Sequence, residues 1–157
     1  MIVSDTTVLI VLMNIDRFDV LKMMFKNIIM PQEVYDEIAV QPSAKKFIDA
    51  EIKVGFLSVE NYEDKQVFKE LNFILDKGES TSIALAIEKN MPLIIDEKKG
   101  RKFAESCGIE IIGLVGILKF IYTSKRLAKK EILGIIESLN QSDFRISKKL
   151  MKSILVA

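Results

Sequence analysis

The 157-residue sequence predicts an α/β domain: a central, mostly parallel sheet with helices on both faces. Three observations carry this. Short apolar runs alternate with amphipathic helical stretches along the whole chain. The runs are continuously apolar, as in Leu93-Ile94-Ile95, so both sheet faces are expected to be covered. No linker, repeat or low-complexity tract divides the chain, so residues 1–157 are expected to form one domain.

The elements follow in order. Ile2-Val3-Ser4 is a buried strand ending on Asp5, and Thr6 or Thr7 is expected to cap a helix over Val8–Asn14. A helix over Arg17–Phe25 puts Phe18, Leu21 and Phe25 on one face. Asn27–Met30 is a second strand. Pro31 suits a first helical turn, and the helix it opens carries Val34 and Ile38 inward. Pro42–Val54 reads as helix and Phe56–Val59 as a weaker strand. Asp64–Leu75 is a helix with Val67, Leu71, Phe73 and Ile74 as its apolar side. Gly78 is expected to end it and Glu79–Asn90 to form the next helix. The strand Leu93–Ile95 ends on Asp96. Arg101–Cys107 is helical, stopped by Gly108, and Ile109–Ile112 is a further strand. Helices over Leu114–Thr123, Lys129–Leu139 and Ser147–Leu155 complete the chain. Four to five strands are expected.

Composition removes several chemistries. The sequence has no histidine and one cysteine, Cys107. Ser-His-Asp and Cys-His nucleophiles, imidazole acid–base catalysis, ordinary zinc sites and internal disulfides are all excluded. Any catalysis must fall to carboxylates, which suit Mg²⁺ or Mn²⁺. Cys107 is expected to be buried filler. Residues 1–97 carry 10 Lys/Arg and 17 Asp/Glu, a balance of −7, whereas residues 98–157 carry 13 and 5, a balance of +8. Such a division can pair a metal-binding pole with a phosphate-binding face. No apolar run reaches the ~20 residues of a membrane span. Met1–Ile10 lacks a basic start and contains Asp5, unlike a signal peptide, so a cytoplasmic location is expected.

Sites in open parallel sheets form beyond the carboxyl ends of the strands. Asp5 and Asp96 both stand there. Glu37 and Glu79 are placed near helix beginnings, Glu37 one step around from the inward Ile38. Each acid alone has an ordinary explanation as a cap or a helix-dipole partner. Together they are more specific.

Their arrangement resembles the PIN-domain nucleases, in particular VapC-like toxin ribonucleases. The matching segments are Ile2–Ile10, Ile29–Glu37, Gly78–Ala86 and Leu93–Ala104, with Ile112–Leu118 and Phe144–Ser147 similar to one bacterial and archaeal branch. The resemblance implies a three-layer α/β/α fold in which Asp5, Glu37, Glu79 and Asp96 line one catalytic, metal-binding pocket. Glu79 stands where toxin-like members more often have aspartate. Thr6 matches a hydroxyl position that supports the first acid. The implied function is a metal-dependent endoribonuclease, the toxin of a toxin–antitoxin pair, with RNA as substrate, a small antitoxin as partner and a homodimer as assembly. The alternative is a non-catalytic PIN-fold module that binds RNA or protein.

Other residues weigh on that reading. Arg101 lies one turn past Asp96–Glu97, within reach of a phosphate, and Lys102 follows it as a second substrate-binding candidate. Glu97 and Asp36 are read as solvated acids, and Met23 and Met24 as core or dimer surface. Leu21, Met24 and Phe25 offer the apolar patch a dimer would use. A receiver-type domain would need an acidic pair at the first strand and a late strand ending on lysine. A haloacid-dehalogenase type would need Asp-x-Asp where Thr7 stands. The sequence supplies neither.

Overall fold

The structure, a computed structural model, describes residues 1–72 and 75–156. Its strands are β1 (Ile2–Ser4), β2 (Ile28–Met30), β3 (Leu57–Val59), β4 (Leu93–Ile94) and β5 (Ile111–Ile112). Between and after them run α1 (Thr6–Asn14), α2 (Asp19–Met24), α3 (Gln32–Ala39), α4 (Pro42–Lys53), α5 (Lys65–Asn72), α6 (Lys77–Lys89), α7 (Lys98–Ser106), α8 (Leu114–Thr123), α9 (Lys129–Asn140) and α10 (Lys148–Leu155). The apolar side expected from Val67, Leu71, Phe73 and Ile74 lies outside the described residues and side chains.

All strand pairs are parallel, in the order β3-β2-β1-β4-β5. The chain therefore starts in the middle of its sheet, steps outward through β2 and β3, then crosses back to lay β4 on the other side of β1. That reversal, between β1 and β4, is the switch point at which open parallel sheets bind ligands.

The strand residues sort by parity, as pleated strands require. Ile2, Ile28, Met30 and Ile94 pack into a large cluster with Leu9, Leu12, Ile117 and Ile135 from the helices of one face. Val3, Ile29, Leu93 and Ile95 pack into a second with Ile83, Leu85 and Ala104 of α6 and α7. Two cores on opposite faces of one sheet make the three-layer α/β/α arrangement. At the β3 edge, Phe18 meets Phe47 and Phe56 edge-to-face, with ring centroids 5.0 and 5.8 Å apart, and so ties the entry of α2 to α4. No helix among the described residues is long and apolar enough to cross a membrane.

Several boundaries differ from expectation for local reasons. Neither Thr6 nor Thr7 caps α1: the helix already includes them, and Asp5 holds the cap position with extended backbone but makes no side-chain cap bond. Gly78 does not break a helix. It lies in the first turn of α6, which Asp76 starts by accepting from the Glu79 N–H at 2.8 Å. Helix α7 begins at Lys98, with Glu97 in its cap position, three residues earlier than periodicity indicates. Cys107 is exposed, not buried, in the turn where Gly108 takes φ +77°. Leu21 is fully buried, and Met24 and Phe25 are partly buried against the same core, so these three do not form the exposed patch expected of them.

Leu12 and Val54 stand at opposite ends of this packing, one at 0% and the other at 72% exposed. Leu12→Ala is expected to destabilise the domain by about 2–5 kcal/mol. Val54→Ala should stay within about 0.5 kcal/mol. Urea unfolding of both variants measures the difference.

Candidate functional site

The site is built where β1 ends and α6 begins. Helix α6 is rich in small residues, and Ser80, Thr81 and Ser82 are all buried. Their hydroxyls bond back within the helix: Ser80 to the Asp76 carbonyl at 2.8 Å, Thr81 and Ser82 to the Gly78 carbonyl at 3.0 and 2.9 Å. Satisfied in this way, they can lie against the sheet without unpaired polar atoms. Ser82 also donates to Asp5 Oδ1 at 3.3 Å, joining the helix to the end of β1.

Carboxylates from three elements converge on Gly78. A Cβ there would stand 2.9 Å from Glu37 Oε2, 3.6 Å from Asp76 Oδ1 and 3.7 Å from Asp5 Oδ1. Glycine thus leaves open the space that the acids face. Asp5 is 4% exposed and forms the floor, whereas Glu37 and Asp76 are exposed at the rim. Glu79, 7% exposed, lies between α6 and α7, where a Cβ on Gly100 would come 2.9 Å from its Oε2.

Burial and mutual repulsion mark both floor acids. Burial is the main reason the Asp5 carboxyl is pushed up to about 6, with Asp76 and Glu37 adding to it and the Thr6 amide and Ser82 hydroxyl opposing it. Glu79 is pushed up to about 8, first by burial, then by its hydrogen bond to Asp76 and the charges of Asp76, Asp5 and Glu97.

The four acids named from sequence are not equivalent here. Asp5 and Glu37 meet at Gly78, and Glu79 adjoins them through Asp76. Glu37 is in the second half of α3, not near its beginning, and reaches the site because its side chain lies a turn beyond Val34. Asp96 takes other partners. It accepts from the Leu114 N–H, 3.2 and 3.4 Å from its two oxygens, and so receives the start of α8. Burial raises its pKa most, while Leu114 and the nearby Arg101 oppose that shift. The hydroxyl of Thr6 goes to Glu37 Oε2 at 2.8 Å, and only its backbone amide serves Asp5. Arg101 is close enough to Asp96 that a Cβ on Gly113 would touch both. Lys102 is exposed, and Asp36 is solvated beside Gln32.

Asp76 belongs to the cluster and escapes a reading that makes Gly78 a helix breaker. Its signal is the spacing Asp76-Lys-Gly-Glu79, an N-cap residue with an acid three positions on.

The donor set fits a hard divalent cation: clustered carboxylates and a hydroxyl, around an open point, in a chain without imidazole. Among the described residues, no three ligands are already drawn together into a metal cage.

A family model described as a PIN domain matches residues 1–157. Among curated proteins, none matches the chain.

Two outcomes follow from the geometry. Asp5 and Glu79 hold their protons to higher pH in the folded protein than in the unfolded chain. Their contribution to stability is full below about pH 4 and is lost as pH rises through about 6 and about 8. In EDTA, the wild type should weaken between about pH 5 and about pH 8 more than Glu79→Gln does, as denaturant titrations at each pH will read. For Asp96, removing the acceptor at the start of α8 should cost about 1 kcal/mol, the size of a lost helix cap. Asp96→Ala should therefore melt below Asp96→Asn, which keeps an acceptor.

Proposed function

The chain belongs to the PIN-domain family, whose members are generally nucleases, and on that footing we propose that it is a divalent-metal-dependent endoribonuclease. The observation that carries the proposal is the convergence of Asp5, Glu37 and Asp76 on the space above Gly78, at the switch point of the sheet. Asp5 and Glu79 from the floor and Glu37 and Asp76 from the rim would hold Mg²⁺ or Mn²⁺. Bound there, the ion supplies an acidified water and offsets charge on the phosphoryl oxygens.

The chain's own residues prepare for that. Ser82 holds the Asp5 carboxylate in place, and the Thr6 hydroxyl orients Glu37. The burial and the mutual repulsion that raise Asp5 and Glu79 make the site a poor place for bare charge and a good one for a cation. Arg101, beside Asp96, supplies a guanidinium for a substrate phosphate.

One observation favours a second reading. The described carboxylates are not yet closed on a common point, as a non-catalytic RNA- or protein-binding module would also allow. Cleavage of a fluorescent RNA with Mg²⁺ or Mn²⁺, abolished by EDTA, separates the two. The toxin role, an antitoxin partner and a homodimer rest on the sequence resemblance. Growth rescue by the product of the adjacent reading frame tests the first two, and light scattering the third.

Two variants sharpen the assay. Asp5→Asn should lower cleavage by more than about a hundredfold, since even outer-shell partners of metal ligands are worth 10–100-fold. Gly78→Ala should fold normally or gain up to about 1 kcal/mol of helix stability, yet cut poorly, because its methyl displaces the Glu37 carboxylate. Full activity in both variants would rule out this pocket as the catalytic centre.

A further inference from the structure

A cavity on the Arg101 side of the acidic cluster is lined by residues that the chemistry above does not use, Phe144 and Arg145 among them. It holds about 420 Å³ and is walled by Asp96, Arg101, Val115, Phe144, Arg145 and Leu150. Small-ligand sites span roughly 300–1,000 Å³. The wall divides by chemistry. Phe144 is partly buried on the core, and with Val115 and the 41%-exposed Leu150 it makes one side apolar. Arg101 and Arg145 bring two guanidiniums, and among the described residues neither is held in an ion pair. Gly113 and Gly116 of the α8 start also line it and add no side chain there.

An inorganic anion would leave the ring and Leu150 uncovered. An apolar guest would leave the Arg145 guanidinium without a counter-charge, since only Arg101 has Asp96 beside it. A nucleotide has a part for each: a flat base for the aromatic and aliphatic side, and a phosphate for the arginines. Asp96 borders this cavity, and α7, which starts two residues later, brings Gly100 against Glu79, so the cavity and the acidic cluster flank the same helix. The exposed Lys148 and Lys149 of α10 extend the positive surface outward.

We propose that the cavity walled by Arg101, Phe144 and Arg145 seats one nucleotide of single-stranded RNA beside the cleavage site, with the base on Phe144 and its phosphate on the arginines. The proposal rests on the nuclease reading and adds to it the subsite that positions the strand. Phe144 and Arg145 are positioning residues in this scheme.

The test reads binding apart from cleavage. Fluorescence anisotropy of a short single-stranded RNA is measured in EDTA with the full chain, against the same strand carrying abasic positions. Arg145→Ala should weaken binding of both strands about tenfold and flatten the salt dependence. Phe144→Leu, which keeps an apolar side chain against the core, should weaken the intact strand about tenfold and leave the abasic strand nearly unchanged. Unaltered melting temperatures would show that both variants fold. Wild-type affinity and wild-type discrimination in both variants overturn the subsite. So does a wild-type protein that binds neither strand, which would leave the cavity to a protein segment. If those variants bind as wild type while the wild type cleaves RNA with Mg²⁺, the subsite alone fails. If both binding effects appear and no metal supports cleavage, the nuclease reading alone fails.

Discussion

The close lie of α6 against the end of β1 is the contact on which the site depends, because it brings acids from distant parts of the chain into one volume. It is possible only because α6 presents small residues there. Ser80, Thr81 and Ser82 return their hydroxyls to their own helix, and Gly78 has nothing to clash with Glu37. Gly78 keeps that volume open, because a side chain there would displace the Glu37 carboxylate. Gly100 does the same on the far side, letting α7 approach Glu79.

That proximity has an electrostatic cost. Among the described residues no cation is placed against Asp5 or Glu79; Asp5 is supported by the Ser82 hydroxyl and the Thr6 amide, and Glu79 by its hydrogen bond with Asp76. Glu79 meets that cost by keeping its proton up to about pH 8, whereas Asp5 keeps its proton only up to about pH 6. Asp96 escapes the same penalty in part, since the first turn of α8 and Arg101 both favour its charge. Neighbouring acids thus have different local balances, set by which element receives each side chain.

The fold was legible in the sequence because its strands are continuous apolar runs separated by helical periodicity. Four to five were expected, the described residues form five, and Asp5 and Asp96 do follow strands. Short strands blurred the ends: β4 and β5 have two residues each, too few for any pattern to define a boundary. The site was legible in outline only. Asp5 announces itself after a strand of three buried residues. Asp76 does not, because its partners are reached only when α6 docks. Glu37 and Ile38 adjoin in sequence but face opposite ways, one exposed at the rim and one buried, which helical periodicity anticipates. The diversion of Thr6 to Glu37 and of Asp96 to Leu114 depends on side-chain directions that sequence spacing does not carry.

The central position of β1 also governs the order in which the protein can assemble. Val3 pairs with Ile29 on one side and with Leu93 on the other. The first partner is 26 residues away and the second 90, so the two edges of the same strand close loops of very different length. Non-local parallel pairing of this kind is the slow part of folding. A growing chain can lay down β1, β2 and β3 while the other edge of β1 stays open, and α6, which covers that end of the sheet, is made later still. Asp5 precedes α6 in the chain by many residues, and it gains Asp76 and Glu79 as neighbours only once that helix is made. Glu37 of α3 can repel Asp5 as soon as β1 and β2 pair, whereas the share of the repulsion that comes from Asp76 and Glu79 waits until α6 docks.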